Sequence, residues 1–305
     1  MENLIITGVS GLLGSNLALE AIEREYKVVG FYLNHPISLP GVTTKSVDIS
    51  NKEVIEEIKA IQPDYIIHCA SPTNLDYLEE TPREAEKNIV EATQNIVDAA
   101  RVVKAKLIHI STDAIFDGKK GDYKEDDLPN PINVYASAKL KAEKEVEKLE
   151  NSIIIRTTIY GWNSQNKLSL AEWMLTKLRN NEELPSFYDI KFSPILVNDL
   201  SKLIFQLIEK EFTGTINLCA RDPVTKLEFA QLIAKTFNLN QSLIKPTSSD
   251  TINFKAKRAK NMSLNTKKSQ AILKLPTVEQ GLESFKRLEE VGYSKKLKEY
   301  QKSYS

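Results

Sequence analysis

The stretch Asn3-Leu-Ile-Ile-Thr-Gly-Val-Ser-Gly-Leu-Leu-Gly14 decides the fold of this 305-residue chain. Residues 3–7 form a short apolar run typical of a strand, and three glycines, Gly8, Gly11 and Gly14, follow without a gap. From residue 15 to residue 25 the apolar side chains recur at helical spacing. A strand, a glycine turn and a helix in this order suit a dinucleotide pyrophosphate, because they provide close backbone approach and free helix amides. The stretch therefore predicts the nucleotide-binding turn of a parallel sheet.

Strands and helices alternate regularly after this turn. Apolar runs predict strands at 27–32, 43–48, 64–69, 106–112 and 152–156, and segments at 52–61 and 83–104 predict helices between them. We expect residues 157–161 to turn away from the last of these strands. The alternation predicts an α/β fold with a doubly wound, mostly parallel sheet.

Beyond residue 160 the alternation breaks down. Helical segments at 170–179, 198–209 and 226–237 are separated by short runs such as 214–218. We expect a nucleotide-binding domain at 1–160, to which 186–212 returns, and a smaller, discontinuous α/β substrate lobe at 161–185 and 213–290. The polar, lysine-rich residues 291–305 predict a solvated, frayed helix.

Composition argues against several kinds of partner. The 41 basic and 41 acidic residues cancel, so neither nucleic acid nor an anionic membrane is expected to bind. No apolar run reaches the length of a membrane span, and the sequence starts with a strand rather than a leader, so we expect a cytoplasmic location.

The two cysteines, Cys69 and Cys219, predict buried free thiols. The three histidines lack metal-ligand spacing, and no metal site is predicted.

Candidate catalytic side chains lie in Pro131-Ile-Asn-Val-Tyr-Ala-Ser-Ala-Lys139. Tyr135 and Lys139 are four residues apart in a helix opened by Pro131 and Asn133, so they share one helical face. A free tyrosine hydroxyl has a pKa near ~10, and an ammonium beside it would lower that pKa toward the range of a general acid or base. The alternative is an accidental pair on an exposed helix.

Polar side chains also follow the buried strand at 106–112. Ser111, Thr112 and Asp113 come at its end, where a parallel strand delivers polar groups to the carboxyl edge of the sheet. The strand at 27–32 ends near Asn34 and His35, without the carboxylate that would bind the adenosine ribose of NAD. These two side chains could contact a phosphate, which favours NADP(H) slightly over NAD(H). A solvated turn histidine is the alternative for His35.

Further motifs make the sequence similar to the extended short-chain dehydrogenase/reductases, and within them to the dTDP-4-dehydrorhamnose reductase group. The matching motifs are Thr-Gly-Val-Ser-Gly-Leu-Leu-Gly at 7–14, Val-Asp at 47–48, Ser-Thr-Asp-Ala-Ile-Phe-Asp-Gly at 111–118, Tyr-Lys-Glu-Asp at 123–126, Pro-Asn-Pro-Ile-Asn-Val-Tyr at 129–135, Lys139 and Arg-Thr at 156–157. The resemblance covers most of the chain and implies a Rossmann-type first domain.

Roles for individual residues follow from this resemblance. Thr112 and Tyr135 would hold a substrate carbonyl, Tyr135 would donate the proton, and Lys139 would bind the nicotinamide ribose. The implied cofactor contacts are Gly8, Ser10, Gly11, Leu12, Leu13, Gly14, Asn34, His35, Asp48, Ile49, Cys69, Ala70, Ser71, Asn88, Ser111, Tyr135, Lys139 and Thr157. The implied substrate contacts are Asp76, Asp113 and Arg258. Asp113 could instead cap its loop, and Arg156 is either a substrate residue or a salt-bridged structural arginine.

Three positions depart from the family pattern. Ile159 stands where the family carries a tryptophan, Ala114 where it carries an aromatic residue, and Ala259 where it carries a proline. The loss of two aromatic rings leaves the identity of the sugar open.

Two classes of function are consistent with the sequence. The first is an NAD(P)H-dependent reductase of a nucleotide-activated 4-keto sugar, with an epimerase as a neighbouring variant and a homodimer as a possible assembly. The second is a non-catalytic NADP-binding regulatory subunit like that of methionine adenosyltransferase, which keeps the tyrosine and the lysine on the same fold.

Overall fold

The computed structural model describes residues 1–301, in which twelve strands and twelve α-helices occur. The strands are β1 (Asn3–Thr7), β2 (Lys27–Tyr32), β3 (Thr43–Ser46), β4 (Tyr65–His68), β5 (Lys106–Thr112), β6 (Ser152–Tyr160), β7 (Leu184–Phe187), β8 (Lys191–Phe192), β9 (Pro194–Leu196), β10 (Gly214–Asn217), β11 (Val224–Thr225) and β12 (Ile244–Thr247). The helices are α1 (Leu12–Glu23), α2 (Val54–Ile61), α3 (Leu75–Glu80), α4 (Pro82–Ala85), α5 (Ala92–Val103), α6 (Val134–Val146), α7 (Leu170–Arg179), α8 (Val197–Glu209), α9 (Lys226–Thr236), α10 (Lys267–Gln270), α11 (Val278–Glu290) and α12 (Tyr293–Glu299). None of the helices in residues 1–301 is both long and apolar enough to cross a membrane.

Eight strands form one parallel sheet. Its order is β3-β2-β1-β4-β5-β6-β10, and β9 also pairs with β6. The chain moves outward from β1 to β3 and then crosses to β4 on the other side of β1, so the strand order reverses between β1 and β4. Open α/β sheets bind ligands at the carboxyl ends of the strands beside such a reversal. The predicted doubly wound α/β fold is confirmed.

Strand β1 shows how the sheet is covered on both faces. Leu4 and Ile6 pack into the layer formed with α1 and α8, whereas Ile5 packs into the layer formed with α2 and α5. All three side chains are fully buried. Successive strand residues point to opposite faces, so a strand buried on both sides is apolar at every position.

Strand β6 is longer than its sequence suggested. The prediction that residues 157–161 turn away is wrong, because Thr158, Ile159 and Tyr160 pair with β9. This pairing gives their backbone groups hydrogen-bond partners at the end of the sheet. The returning segment at 186–212 supplies both β9 and α8, and α8 packs against α1.

Strand β10 also differs from expectation. We expected its residues in the second lobe, but Gly214–Asn217 pairs in parallel with residues 153–156 of β6 and forms an edge of the main sheet. A four-residue strand with two buried positions cannot be assigned to one sheet or another by its own pattern.

The second lobe has a core of its own. Helices α7, α9 and α11 surround it, and two small sheets, β7 with β12 and β8 with β11, lie at its margin. Phe229 packs edge-on against both Tyr160 and Phe192, and Trp162 stacks on Phe285 at 4.1 Å between ring centroids. These aromatic contacts fix the lobe over the carboxyl end of β6.

The C-terminal segment packs against the rest of the protein. Leu297 of α12 is fully buried, and the Tyr293 hydroxyl donates a hydrogen bond to Oδ1 of Asn16 at 2.7 Å. The backbone N–H of Ser38 donates to the carbonyl oxygen of Tyr300 at 2.8 Å. The predicted helix forms at Tyr293–Glu299, but its packing shows that the expectation of a frayed, solvated segment is wrong there. Residues 302–305 lie outside the described residues.

Candidate active site

The glycine turn packs so tightly that side chains would not fit. Gly8 has a φ of +70°, and a Cβ atom there would lie 2.8 Å from Cα of Ala70. A Cβ atom on Gly14 would lie 2.2 Å from the carbonyl oxygen of Gly8. Helix α1 begins at Leu12 after the N-cap Gly11, and no side chain caps its amides. Free amides at the positive end of a helix dipole fit the pyrophosphate of a dinucleotide.

The loop after β4 lies directly beside this turn. The Ala70 N–H donates to Oγ1 of Thr7 at 3.3 Å, which joins the ends of β1 and β4. The backbone of Cys69 and Ala70 therefore lies against Gly8, and the role of residues 69–71 as cofactor contacts stays a prediction. Both cysteines are free thiols, and burial raises the pKa of Cys69 to about 12, so this thiol stays protonated.

The residues predicted at the adenosine end share the β2–β3 edge of the sheet. Asn34 and His35 are exposed just after β2. Oδ1 of Asp48 accepts hydrogen bonds from the N–H and the hydroxyl of Ser50, at 3.0 and 2.7 Å. The Ile49 carbonyl accepts from the side chain of Asn95 at 3.1 Å, which anchors this loop to α5.

Tyr135 lies in the first turn of α6. Asn133 caps this helix, because its side chain accepts from the N–H of Ala136 at 2.9 Å, and its amide donates to the carbonyl of Lys257 at 3.0 Å. Burial, followed by the nearby charge of Asp113, raises the pKa of Tyr135 to about 12, while a hydrogen bond with Thr112 opposes the rise. The expected lowering of the phenol pKa by Lys139 is absent from this structure, since desolvation dominates.

Lys139 is held by the strand below it rather than by the tyrosine. Its ammonium donates to the carbonyl oxygen of Ile110 at 2.7 Å and to Nε2 of His109 at 3.2 Å. Burial lowers the pKa of Lys139 to about 8, and the charge of Glu143 opposes this shift. An ammonium has three donors, so one remains after these two bonds.

Two buried histidines form the floor beneath Lys139. Burial lowers the pKa of His68 to about 3 and that of His109 well below its usual value, and the charge of Lys139 adds to both shifts. Both rings are therefore neutral. Nδ1 of His68 lies 2.7 Å from Oγ1 of Thr7, and its Nε2 lies 3.1 Å from Oγ1 of Thr93. Because Nε2 of His109 accepts from Lys139, its proton is on Nδ1, for which residues 1–301 offer no hydrogen-bond partner.

A buried ion pair supports α6 from the other side. Arg156 donates to both carboxylate oxygens of Glu143, with 2.8 Å between Nη2 and Oε2, and the Ser111 hydroxyl donates to the same carboxylate. The arginine side chain is 5% exposed and the glutamate 1%. Arg156 is thus the salt-bridged structural arginine of the two alternatives, and Ser111 orients its side chain toward that pair.

The three predicted substrate residues fall into two groups. Asp113 is buried at the end of β5, where the hydroxyls of Thr112 and Thr158 donate to its carboxylate, and burial raises its pKa. Asp76 instead pairs with Arg258 at 3.0 Å, and it also accepts from the N–H of Ala256 at 3.0 Å. The second pair fastens the segment 256–258 to α3.

The last two predicted cofactor residues differ in their surroundings. Thr157 is buried beside Thr112 in the β5–β6 ladder, and its hydroxyl oxygen has no partner within the described structure. A buried hydroxyl of this kind fits a ligand-facing position. Asn88, in a π-helical turn at Glu86–Glu91, donates to the carboxylate of Glu84 at 2.7 Å. In residues 1–301, no group of three or more His, Cys, Asp or Glu could hold a metal ion.

Similarity to known proteins runs through almost the whole chain. The family described as RmlD substrate binding domain matches residues 1–289. The chain belongs to this family. A solved relative, the dTDP-4-dehydrorhamnose reductase of Bacillus anthracis in complex with NADP, is 29% identical with a TM-score of 0.84, and the match covers 94% of this chain and 99% of that one.

Two further relatives of this RmlD-family chain differ in the role that their names describe. The methionine adenosyltransferase 2 subunit beta of Rattus norvegicus is 31% identical over 285 residues, 89% of this chain and 82% of the relative. The probable low-salt glycan biosynthesis reductase Agl14 of Haloferax volcanii is 26% identical over 285 residues, 91% of this chain and 95% of the relative. The relatives of this chain thus include proteins named as reductases and a subunit named for another enzyme.

The structure shows the contacts of the three positions that depart from the family pattern. Ile159 lies in β6 opposite Ile195 of β9 and packs at the margin of the first core. The N–H of Ala114 donates to Oγ1 of Thr112 at 3.1 Å, so this residue helps to hold the threonine. Ala259 is buried against the turn at Gly118.

Three residues of the RmlD-family site were not found from the sequence. His109 contacts Lys139, Glu143 pairs with Arg156, and Lys226 approaches Asp113 from the second lobe. His109 had a usable signal, because a histidine inside an apolar parallel strand requires a buried partner. Glu143 had none, since it occupies an ordinary polar position of a helix, whereas Lys226 directly follows the cap Thr225, where the helix dipole disfavours a cation.

Proposed function

We propose that this RmlD-family chain is an NAD(P)H-dependent reductase of a nucleotide-activated 4-keto sugar. The observation that carries the proposal is the grouping of Thr112, Tyr135 and Lys139 at the carboxyl end of β5, next to the uncapped glycine turn of α1. A proton donor, a hydroxyl and an ammonium beside a dinucleotide turn are the groups that carbonyl reduction requires.

The residues divide the work of reduction among them. When bound, the nicotinamide supplies the hydride that adds to the carbonyl carbon. The Tyr135 hydroxyl donates to the carbonyl oxygen, and the Thr112 hydroxyl does the same after it turns from Asp113 to the substrate. Tyr135 then transfers its proton to that oxygen as the C–O π bond breaks. The products are the alcohol and the oxidised cofactor, and the tyrosinate regains a proton from solvent. A phenol with a raised pKa remains more acidic than the alcohol formed, so the transfer is downhill.

Lys139 lowers the energy of the charged state that forms during this step. Its ammonium stabilises negative charge that develops on the phenol oxygen and on the substrate oxygen. The donor left over after His109 and Ile110 serves the nicotinamide ribose in this scheme. The buried, neutral histidines exclude water from below the ammonium, which strengthens its field.

We assign a slight preference for NADP(H) over NAD(H). The exposed Asn34 and His35 lie where the adenosine phosphate would bind, and no carboxylate occupies the corresponding position after β2. NADPH should therefore bind more tightly than NADH, and His35→Asp should reduce the difference, because a carboxylate repels the phosphate. Fluorescence titration of both cofactors measures this, and equal parental affinities would contradict it.

A turnover experiment tests the proposed activity. Purified protein with NADPH is offered dTDP-4-dehydrorhamnose and 4-keto sugars of other nucleotides, and cofactor oxidation is compared with the alcohol formed. We expect one mole of alcohol for each mole of NADPH, and turnover that is slower by roughly 10²-fold or more for Tyr135→Phe. Retention of NADPH without oxidation on every substrate would contradict a reductase.

The second candidate function is a non-catalytic subunit that binds a nicotinamide dinucleotide. The 31% identity to a methionine adenosyltransferase subunit over 89% of this chain favours it. Such a subunit would bind NADPH, leave it unoxidised and form a stable complex with a methionine adenosyltransferase catalytic subunit. Size-exclusion chromatography of the mixed proteins distinguishes it from the reductase, which should elute separately.

A further inference from the structure

Lys226 is a cation without an ionic partner at the border of the candidate site. It is half-buried, and its ammonium lies 3.3 Å from the centroid of the Phe192 ring. Among the described residues it makes no ion pair and no side-chain hydrogen bond. The aromatic ring attracts the charge but accepts no conventional hydrogen bond, so the N–H donors of Lys226 remain available to a ligand.

The local structure disfavours a positive charge at this position. Lys226 is the first residue of α9, directly after the cap Thr225, whose hydroxyl accepts from the N–H of Glu228 at 3.0 Å. The positive end of a helix dipole repels a cation. Burial lowers the pKa of Lys226 to about 7, and only the charge of Asp113 opposes the shift. A residue that destabilises its own helix is a candidate for function rather than for stability.

Hydrogen bonds and short stretches of chain link Lys226 to the end of β5. Thr158 donates to the carboxylate of Asp113 and is the direct ladder partner of Pro194. The Lys226 ammonium lies over the ring of Phe192, which precedes Pro194 by two residues. Asp113 in turn accepts from Thr112, the hydroxyl assigned to the substrate carbonyl. Lys226 thus lies at the end of the site where the sugar reacts.

We propose that Lys226 and Asp113 form a donor and acceptor pair that binds the sugar ring of the substrate. The ammonium donates to one ring oxygen, and the carboxylate accepts from the hydroxyl next to it. This assignment rests on the proposed function and specifies which part of the substrate meets the second lobe. A diphosphate is the poorer ligand here, because the carboxylate in the same cluster repels its charge.

Binding measurements with and without the sugar test this assignment. dTDP-glucose and dTDP serve as probes in calorimetric titrations of the NADPH-loaded protein. Lys226→Met should weaken the binding of dTDP-glucose by about 10- to 100-fold, which is the effect of one charge-assisted hydrogen bond. The affinity for dTDP should not change. Lys226→Arg should keep part of the affinity. Lys235→Met, which removes an exposed lysine of the same helix that pairs with Glu279, is the matched control and should change neither probe.

A thermal melt separates a binding role from a structural one. Because Lys226 is a partly desolvated charge without an ion pair, and methionine can still pack on the Phe192 ring, Lys226→Met should melt at the same temperature as the parent or higher, with NADPH affinity unchanged. A fall in melting temperature together with the loss of both probes would assign the residue to packing and overturn the proposal.

The remaining outcomes are equally decisive. Equal losses of affinity for dTDP-glucose and dTDP would indicate that Lys226 binds the diphosphate. Unchanged affinity for both would show that Lys226 is not part of the binding site. Either result overturns this inference and leaves the proposed reductase standing. If the parent protein binds neither dTDP-glucose nor UDP-glucose, the nucleotide-sugar substrate itself is wrong, and the inference fails with it.

Discussion

The ammonium of Lys139 donates a hydrogen bond to Nε2 of His109 at 3.2 Å, although the two residues are 30 positions apart in the chain. The contact joins the helix that carries the candidate proton donor to the strand that ends in Thr112. It also determines which nitrogen of His109 is protonated, because an ammonium only donates. The contact would also orient Lys139 toward a nicotinamide ribose, the role proposed for it, so His109 is expected to affect cofactor binding through the lysine.

We expect His109→Phe to weaken NADPH binding by about tenfold, because the ring keeps its volume while Lys139 loses one charge-assisted hydrogen bond. His109→Gln, which offers an amide oxygen, should recover part of the affinity. Fluorescence titration measures both, and Ile108→Val in the same strand controls for general loosening. A phenylalanine variant that binds NADPH as the parent does would show that the lysine needs no such support.

Cofactor affinity should depend on pH through Lys139. Burial lowers its pKa from 10.5 to about 8, so the ammonium is present below that pH and is lost above it. NADPH affinity should be constant below pH 8 and decrease at higher pH. The stability contribution has the opposite sign, because the unfolded chain binds more protons between the two values and stability rises with pH there.

Titrations of NADPH from pH 6 to about pH 10, with parallel denaturant unfolding, check this prediction. Lys139→Met should remove the pH dependence of affinity while lowering affinity at neutral pH. An alkaline decline that persists in the methionine variant would belong to another group.

Tyr135→Phe should slow reduction by roughly 10²-fold or more with little change in stability or NADPH affinity, because only one oxygen is removed. Lys139→Met should impair both affinity and rate. The double variant should be much less damaged than the product of the two single effects, since the ammonium has no phenol left to assist. Steady-state kinetics measure the cycle, with Tyr65→Phe on β4 as the control. Parental turnover by Tyr135→Phe would place the proton donor elsewhere.

Glu143→Gln should destabilise the protein by about 3–5 kcal/mol, because it leaves the charge of Arg156 buried without a counter-charge. Replacing both residues, Glu143→Leu with Arg156→Met, should cost less than either single change. Denaturant unfolding measures the free energies, and Glu147→Gln at the exposed end of α6 is the control. A loss below about 1 kcal/mol in Glu143→Gln would indicate that water reaches the pair.

Local rules were sufficient for the glycine turn, for most strands and helices up to residue 156, and for the start of α6. Turn, cap and alternation each depend on residues within a few positions of one another, so their signals are present in the linear sequence. The same holds for Tyr135 and Lys139, which share a helical face by spacing alone. The free thiols and the absence of a membrane-length helix follow from composition and run length.

Tertiary structure alone decided the pKa values of the ionisable side chains in the candidate site. Burial raises the pKa of Tyr135 and lowers those of Lys139 and Lys226, and burial depends on which layers close over a side chain. The hydrogen bond from Tyr293 to Asn16 spans 277 positions and turns a polar tail into packed structure. The addition of β10 to the main sheet likewise required a free edge on β6. A sequence pattern reports which face of one element is apolar, but it does not report what that face, or the charge beside it, will meet.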